Sequence, residues 1–151
     1  MKKISILSIL AICLILTGCG TKKMECVYTS SNSQYGSDNM NARFIFKKDG
    51  TIDKYTMIEE MTYNANYLKA ANTTVEKQYE TAKEYCEKSV PKNDKIKCNV
   101  RKYKNSVTVT IDYYLSDMDE KDISELNISE YIKAKYDDIK TQYENQGFTC
   151  K

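Results

Sequence analysis

Ile96-Lys97-Cys98-Asn99-Val100-Arg101 and, after a polar break near Lys104-Asn105, Val107-Thr108-Val109-Thr110-Ile111-Asp112-Tyr113-Tyr114-Leu115 carry the clearest alternation of apolar and polar residues in the chain. Successive side chains of a strand point to opposite faces, so an apolar residue at every second position marks one buried face. Ile96, Cys98 and Val100 keep that period, and Val107, Val109, Ile111, Tyr113 and Leu115 keep it again, with Lys97, Asn99, Arg101, Thr108, Thr110 and Asp112 between them. The pattern predicts an antiparallel hairpin with one face on a core and the other in water. On that hairpin Tyr114 falls opposite the core, on the face of Arg101 and Thr110. These three residues are the candidate interaction surface, because a tyrosine with an apolar body and a polar tip suits an interface.

Upstream of the hairpin, Thr73 with Glu76 three residues later reads as a capping box. Val75, Tyr79, Ala82 and Cys86 then recur at helical spacing, Tyr85 widens the stripe, and Pro91 ends the segment. Residues 64–72 read as a loop with a helical turn near Tyr67. Before them, Ala42, Phe44 and Phe46 alternate towards a turn at Lys48-Asp49-Gly50, and a return strand runs over 51–63. Tyr55, Met57, Met61 and Tyr63 share one face of that strand, with Glu59 the one exception. Residues 31–41, rich in Ser, Asn and Gly, read as a loop, and 26–30 as a first strand.

Downstream, residues 116–125 are acidic and read as a loop or single helical turn. A second helix is expected over 128–145, with Asn127 as cap, Glu130 behind it, and Ile128, Ile132, Tyr136, Ile139 and Tyr143 as its stripe. Gly147 stands where a left-handed C-cap belongs, and Phe148 can fold back on the last turn. The order β-β-β-α-β-β-α predicts an α+β fold, an antiparallel sheet of about five strands with two helices packed on one face.

The chain opens differently. Met1-Lys2-Lys3 is a basic n-region, residues 4–16 are an apolar core too short to span a bilayer, and Leu16-Thr17-Gly18-Cys19 resembles a bacterial lipobox. By that resemblance residues 1–18 are a lipoprotein signal peptide and Cys19 is the lipidated first residue of the mature chain. Two acyl chains on it, at about 0.8 kcal/mol per buried methylene, hold firmly where one is marginal. Residues 19–25 are then the lipidated N-terminus and tether, and 26–151 a single domain on the extracytoplasmic face of the cell membrane.

The chain has 23 basic and 21 acidic residues, and the leader holds two of the lysines and no acid, so the mature chain is balanced at 21 of each. It lacks the basic footprint of a nucleic-acid binder. Of six cysteines, Cys13 leaves with the leader and Cys19 takes the lipid. Cys26, Cys86, Cys98 and Cys150 remain, an even number in an exported chain, which predicts two disulfides. Four cysteines allow three pairings and the sequence alone does not choose among them. Position favours Cys86 with Cys98, across a short loop, and Cys26 with Cys150, which open and close the domain.

The lipobox, Glu25-Cys26-Val27-Tyr28-Thr29, Phe46-Lys47-Lys48-Asp49-Gly50, the Val-Thr-Val-Thr strand and the closing Gly147-Phe148-Thr149-Cys150-Lys151 together resemble small lipoproteins of low-GC Gram-positive bacteria. In layout they are similar to the YehR-like lipoproteins, a family without an assigned biochemical activity. The resemblance implies that the cysteines at the two ends of the domain pair. It supplies no catalytic residue, and Cys86 and Cys98 lie outside it.

Chemistry-bearing motifs are few. With no histidine, Ser-His-Asp and Cys-His triads are excluded, and no phosphate-cradling glycine loop is present. No CxxC pair offers a metal site. Asp117, Asp119, Asp122 and Glu125 cluster, but Lys121 stands among them and the glycine of a calcium loop is missing. No cofactor or metal is expected. The chain reads as a membrane-anchored binding or interaction module of the cell envelope and not an enzyme, its partners the membrane, through Cys19, and a protein or envelope ligand. The alternatives are a carboxylate-dependent envelope hydrolase and an inhibitor of a secreted enzyme.

Overall fold

The computed structural model describes residues 21–32, 34–126 and 128–151, without the side chain of Glu130. The leader, the lipobox residues Leu16, Thr17, Gly18 and Cys19, and the Asn127 cap therefore lie outside the described residues. The alternating hairpin is β4 (Ile96–Lys102) and β5 (Ser106–Tyr114), antiparallel, with Cys98 opposite Ile111 and Val100 opposite Val109. Val107 and Ile111 are wholly buried, and Lys97, Asn99 and Arg101 lie on the solvent face.

Three longer strands precede it: β1 (Lys22–Asn32), β2 (Gly36–Phe46) and β3 (Ile52–Tyr63). Two expectations are corrected here. The tether is shorter than 19–25, since residues 22–25 already run in β1 and Met24 is buried against Phe44 across the ladder. Residues 31–41 are not a loop either. They form the far end of a β1–β2 hairpin, paired out to Asn32 opposite Gly36. Their polar side chains say "loop" by composition, but the backbone ladder between two flanking strands needs no apolar residue. Gly36 makes the turn possible, with φ at +127° and Thr62 O only 1.9 Å from where a Cβ would sit. At the other end of β2, Gly50 (φ +83°) closes the turn into β3, Lys47 N donates to Thr51 O at 2.8 Å, and the Asp49 carboxylate accepts from the Thr51 amide and hydroxyl.

The sheet has six strands in the order β4-β5-β3-β2-β1-β6, antiparallel throughout. The sixth strand, β6 (Thr149–Cys150), is the addition to the expected five; it pairs Cys150 with Cys26 and is too short to carry a periodic signal. The helices cover one face of this sheet, giving the α+β architecture. Short α1 (Ala65–Ala70) is capped by the Asn64 side chain, which accepts from Asn66 N. The long α2 (Val75–Lys88) starts one residue later than expected: Thr74, not Thr73, accepts from Lys77 N at 3.2 Å, while Thr73 accepts from Gln78 Nε2. Glu76 is thereby freed from a capping box and pairs with Lys102 of β4.

A 3₁₀ turn (Leu115–Asp117) leads to α3 (Glu120–Leu126), α4 (Ser129–Lys133) and α5 (Tyr136–Asn145). The single helix expected over 128–145 is broken at Lys135, whose backbone is extended (φ −96°, ψ 166°). Its amide donates to the Asp138 carboxylate at 3.2 Å and its Nζ to Asp49 O at 2.8 Å, so the β2–β3 turn and a new N-terminus compete with the helical ladder and win. After α5, Gly147 (φ +89°) turns the chain and Phe148 N returns to Tyr143 O at 3.1 Å. Phe148 then lies against Tyr143 and Tyr28.

The core between the sheet and α5 is aromatic. Phe44 stacks on Tyr55 (centroids 4.9 Å apart) and meets Tyr143 edge-on (5.2 Å), with Phe46, Met24, Ile52 and Ile139 fully buried around them. Such aromatic pairs add about 0.5–1.5 kcal/mol each beyond their area burial. Two disulfides staple the fold: Cys86 of α2 to Cys98 of β4, helix to sheet, and Cys26 of β1 to Cys150 of β6, strand to strand. They are the covalent chemistry of an oxidising, extracytoplasmic compartment. Among the described residues no helix is long and apolar enough to cross a membrane.

Candidate binding groove over the central strand

In a sheet covered on one face, the inward side chains of an interior strand should be the most buried. β3, flanked by β5 and β2, departs from this. Ile52 alone is buried, and every later residue of the strand is only partly so. The cause lies in the helices. α2 packs over β4 and β5, and α5 over β1 and β6, while the 3₁₀ turn and α4 reach β3 around its start, so the helical layer thins over the rest of β3.

Tyr55, Met57, Glu59, Met61 and Tyr63, alternate residues of β3, form the floor of the resulting groove. At its start a cavity of about 400 Å³ is walled by Tyr113, Pro91, Leu126, Ile128 and Tyr131. In the middle a space of about 250 Å³ lies against Gln78, Thr81 and Tyr85 of α2. At the far end a cavity of about 440 Å³ is lined by Asp38, Tyr35, Tyr67 and Ser30. The first two share Met57 and the last two share Met61 and Tyr63, so the three run on along one strand. Thioethers and phenol rings make a soft, adaptable floor.

Two carboxylates interrupt it. Glu59 faces Met40, and Asp38 faces Met61, so the acids stand diagonally across the β2–β3 ladder on the inward face. Burial raises the Glu59 carboxyl above its ordinary value, and the neighbouring Asp38 charge raises it further. Burial alone raises Asp38, whose Oδ1 is shielded from solvent and has no hydrogen-bond partner among the described residues. The ion pairs of the described residues lie elsewhere, among them Arg43 with Glu25, Lys54 with Asp112, and Lys95 with Asp122. At the other end of the groove, Tyr55 and Tyr143 share a hydroxyl contact of 3.1 Å, and burial pushes the Tyr55 phenol far up.

The residues singled out from the sequence lie elsewhere. Tyr114, Thr110 and Arg101 do share the outer face of the sheet. Tyr114 is occupied there by Lys54 and Lys97, whose ammonium groups sit 4.7 and 5.2 Å from its ring. Thr110 is about 13 Å further along the strand at ~3.3 Å per residue, so the three do not form one patch. In the acidic run, Asp122 accepts from Lys95 Nζ and Asn93 Nδ2, each at 2.6 Å, and from Asp119 N, which pulls its carboxyl down to about 2. That run is a structural knot tying α3 to the loop before β4. Asp38 was hidden by the loop reading of 31–41. Its signal was present, since it continues the even-numbered period of Ala42, Phe44 and Phe46.

No protein-family model matches the chain. No curated protein matches it either. Among solved structures it is similar to the NMR structure of a protein from Streptococcus pneumoniae TIGR4, at a TM-score of 0.57 and 16% identity over 87% of this chain and 86% of that one. At that identity the likeness is one of fold.

Proposed function

We propose that this chain is a lipid-anchored binding protein of the cell envelope, held at the outer face of the cytoplasmic membrane through Cys19, whose ligand lies in the groove over β3. The observation that carries the reading is the incompletely covered inward face of the central strand from Met57 to Tyr63. A stable domain of this size has every reason to close its apolar face, and leaving Met57, Met61 and Tyr63 accessible costs hydrophobic stabilisation of about 25 cal/mol per Å². A concave, mostly apolar site with a few convergent polar groups is the common form of a ligand site. The anchor is supported by the lipobox residues Leu16, Thr17, Gly18 and Cys19 and by the two disulfides.

The protein purified from its native membrane and then denatured with acid should release bound material near stoichiometry. Thr81→Trp, a substitution at an exposed position on the α2 wall, should release none. Equal release from both proteins, or none from either, would remove the groove from the account. Metabolic labelling with a fatty-acid analogue should mark the wild-type chain and not Cys19→Ser.

A second reading draws on the same two acids. Two carboxyls on one face of a groove, one with its pKa raised enough to act as an acid while the other stays ionised, are the equipment of a glycosidic hydrolase. Glu59→Gln would then abolish cleavage of cell-wall fragments by the wild-type protein, whereas no cleavage by either protein leaves binding as the function.

A further inference from the structure

The groove is long, and among the described residues the charged side chains that line it, Glu59, Asp38 and Glu125, are all acidic. From Tyr55 to Tyr63 it follows eight residue steps of an extended strand, about 27 Å at ~3.4 Å per residue. A small molecule would fill one of its three cavities, whereas an extended chain of about eight residues would run through all of them. Glu59 and Asp38 sit where the middle and distal cavities meet, beside Met61 and Tyr63, which line both.

The nearby cations are committed elsewhere. Lys102 pairs with Glu76, and Lys83 with Glu80, on the outer surface of α2 and its junction with β4. Two partly buried carboxylates on adjacent strands therefore repel each other, and neither has an ion-pair partner among the described residues. Removing a charge from water without a partner is costly, and a cation delivered by a ligand offsets that cost.

Resting on the groove reading above, we propose that the occupant is an extended peptide segment, with a lysine or arginine held between Asp38 and Glu59 and apolar side chains lying on Met57 and Met61. At the distal end Tyr63 stacks on Tyr67 and Tyr35 meets Tyr67 edge-on, and the three supply rigid contact area at low entropic cost, as tyrosines do in binding loops. Methionine supplies the adaptability that a peptide of varied sequence needs.

The test uses the full chain, expressed with its leader and held in phosphatidylcholine nanodiscs. Fluorescein-labelled nine-residue peptides of alanine and leucine carry one central lysine, or norleucine in its place, and binding is read by anisotropy. The lysine peptide should bind at least tenfold more tightly than the norleucine peptide. The Asp38→Asn/Glu59→Gln double variant should abolish that preference and leave the norleucine peptide unchanged. Thr81→Lys, at an exposed position of α2 where misfolding is not at issue, should weaken the lysine peptide selectively.

Equal affinity for the two peptides would overturn the cation, and a preference that survives the double variant would place it elsewhere. Spermine competing as well as the peptide would overturn the peptide assignment in favour of a polyamine. Binding of both peptides that survives Thr81→Trp would put the site outside the groove and remove the reading on which this one rests.

Discussion

Cys26 and Cys150 are cross-strand neighbours in the β1–β6 ladder as well as disulfide partners, with Cα atoms 4.0 Å apart and a sequence separation of 124. Next to the bridge Glu25 and Lys151 exchange backbone hydrogen bonds of 2.9 and 3.0 Å, and on its other side Val27 pairs with Thr149. The last turn of α5 cannot leave the sheet without breaking this clasp. Chain ends otherwise fray first. Replacing both cysteines by serine should cost roughly 2–5 kcal/mol, read from denaturant unfolding. Amide exchange should rise first in β6 and α5, before the β4–β5 hairpin loosens. Unchanged protection in those elements would mean that the ladder, and not the disulfide, holds the end.

Gly36→Ala tests the polar hairpin. The glycine's φ of +127° suits no other residue, and an added Cβ would meet Thr62 O at 1.9 Å, a backbone atom that cannot step aside. Strain of this kind costs about 1–3 kcal/mol before the clash is added. The variant should lose at least that much and should shift the backbone resonances of residues 34–40. A neutral outcome would show that the β1–β2 ladder ends well before Asn32.

Ile139 has no exposed surface and holds α5 on the sheet, so Ile139→Ala should destabilise by about 2–5 kcal/mol. Tyr114→Ala, on the outer face, should cost about 1 kcal/mol, since the half-buried ring gives up its cation contacts with Lys54 and Lys97 and no core packing like that of Ile139. Thermal denaturation of both variants gives the comparison, and a larger loss at Tyr114 would mean that the outer face, not the aromatic core, bears the load.

The β4–β5 hairpin was legible because its alternation is strict and one of its faces is truly buried. The terminal C-cap was legible too, since Gly147 and Phe148 each have one evident use. Residues 31–41 misled because backbone pairing leaves no mark on side-chain composition. The break at Lys135 was invisible because the apolar stripe from Ile128 to Tyr143 runs through it unchanged, and the competing bonds to Asp49 and Asp138 depend on tertiary placement. The groove was half legible. Period two put Tyr55, Met57, Met61 and Tyr63 on one face and marked Glu59 as the exception, but periodicity says which face points inward and not whether a helix covers it.

Glu59 and Asp38 also set a pH signature. With folded-state carboxyls raised above their unfolded values, their contribution is fully present when both states are protonated and is lost as pH rises through the raised values. The Asp38→Asn/Glu59→Gln variant should therefore match the wild type near pH 3 and melt at a higher temperature near pH 7. Asp122 has the opposite sign: its lowered carboxyl, at about 2, contributes stability above the ordinary aspartate range. Asp122→Asn should melt lower at neutral pH and converge with the wild type as pH falls towards about 2. Melting curves across this range decide both, and a parallel pH profile for either variant would contradict the environment described for that acid.

A ligand can enter the groove only where the helical layer is open over the middle of β3, and the methionine methyl groups there report on that directly. With carbon-13 on those methyls and a neutral gadolinium chelate in solution, relaxation enhancement measures how closely solvent approaches each one. Met57 and Met61 should broaden strongly while Met24, buried under α5, stays sharp. Protection of Met57 and Met61 equal to that of Met24 would show the layer closed, and the groove would not exist for a ligand to enter.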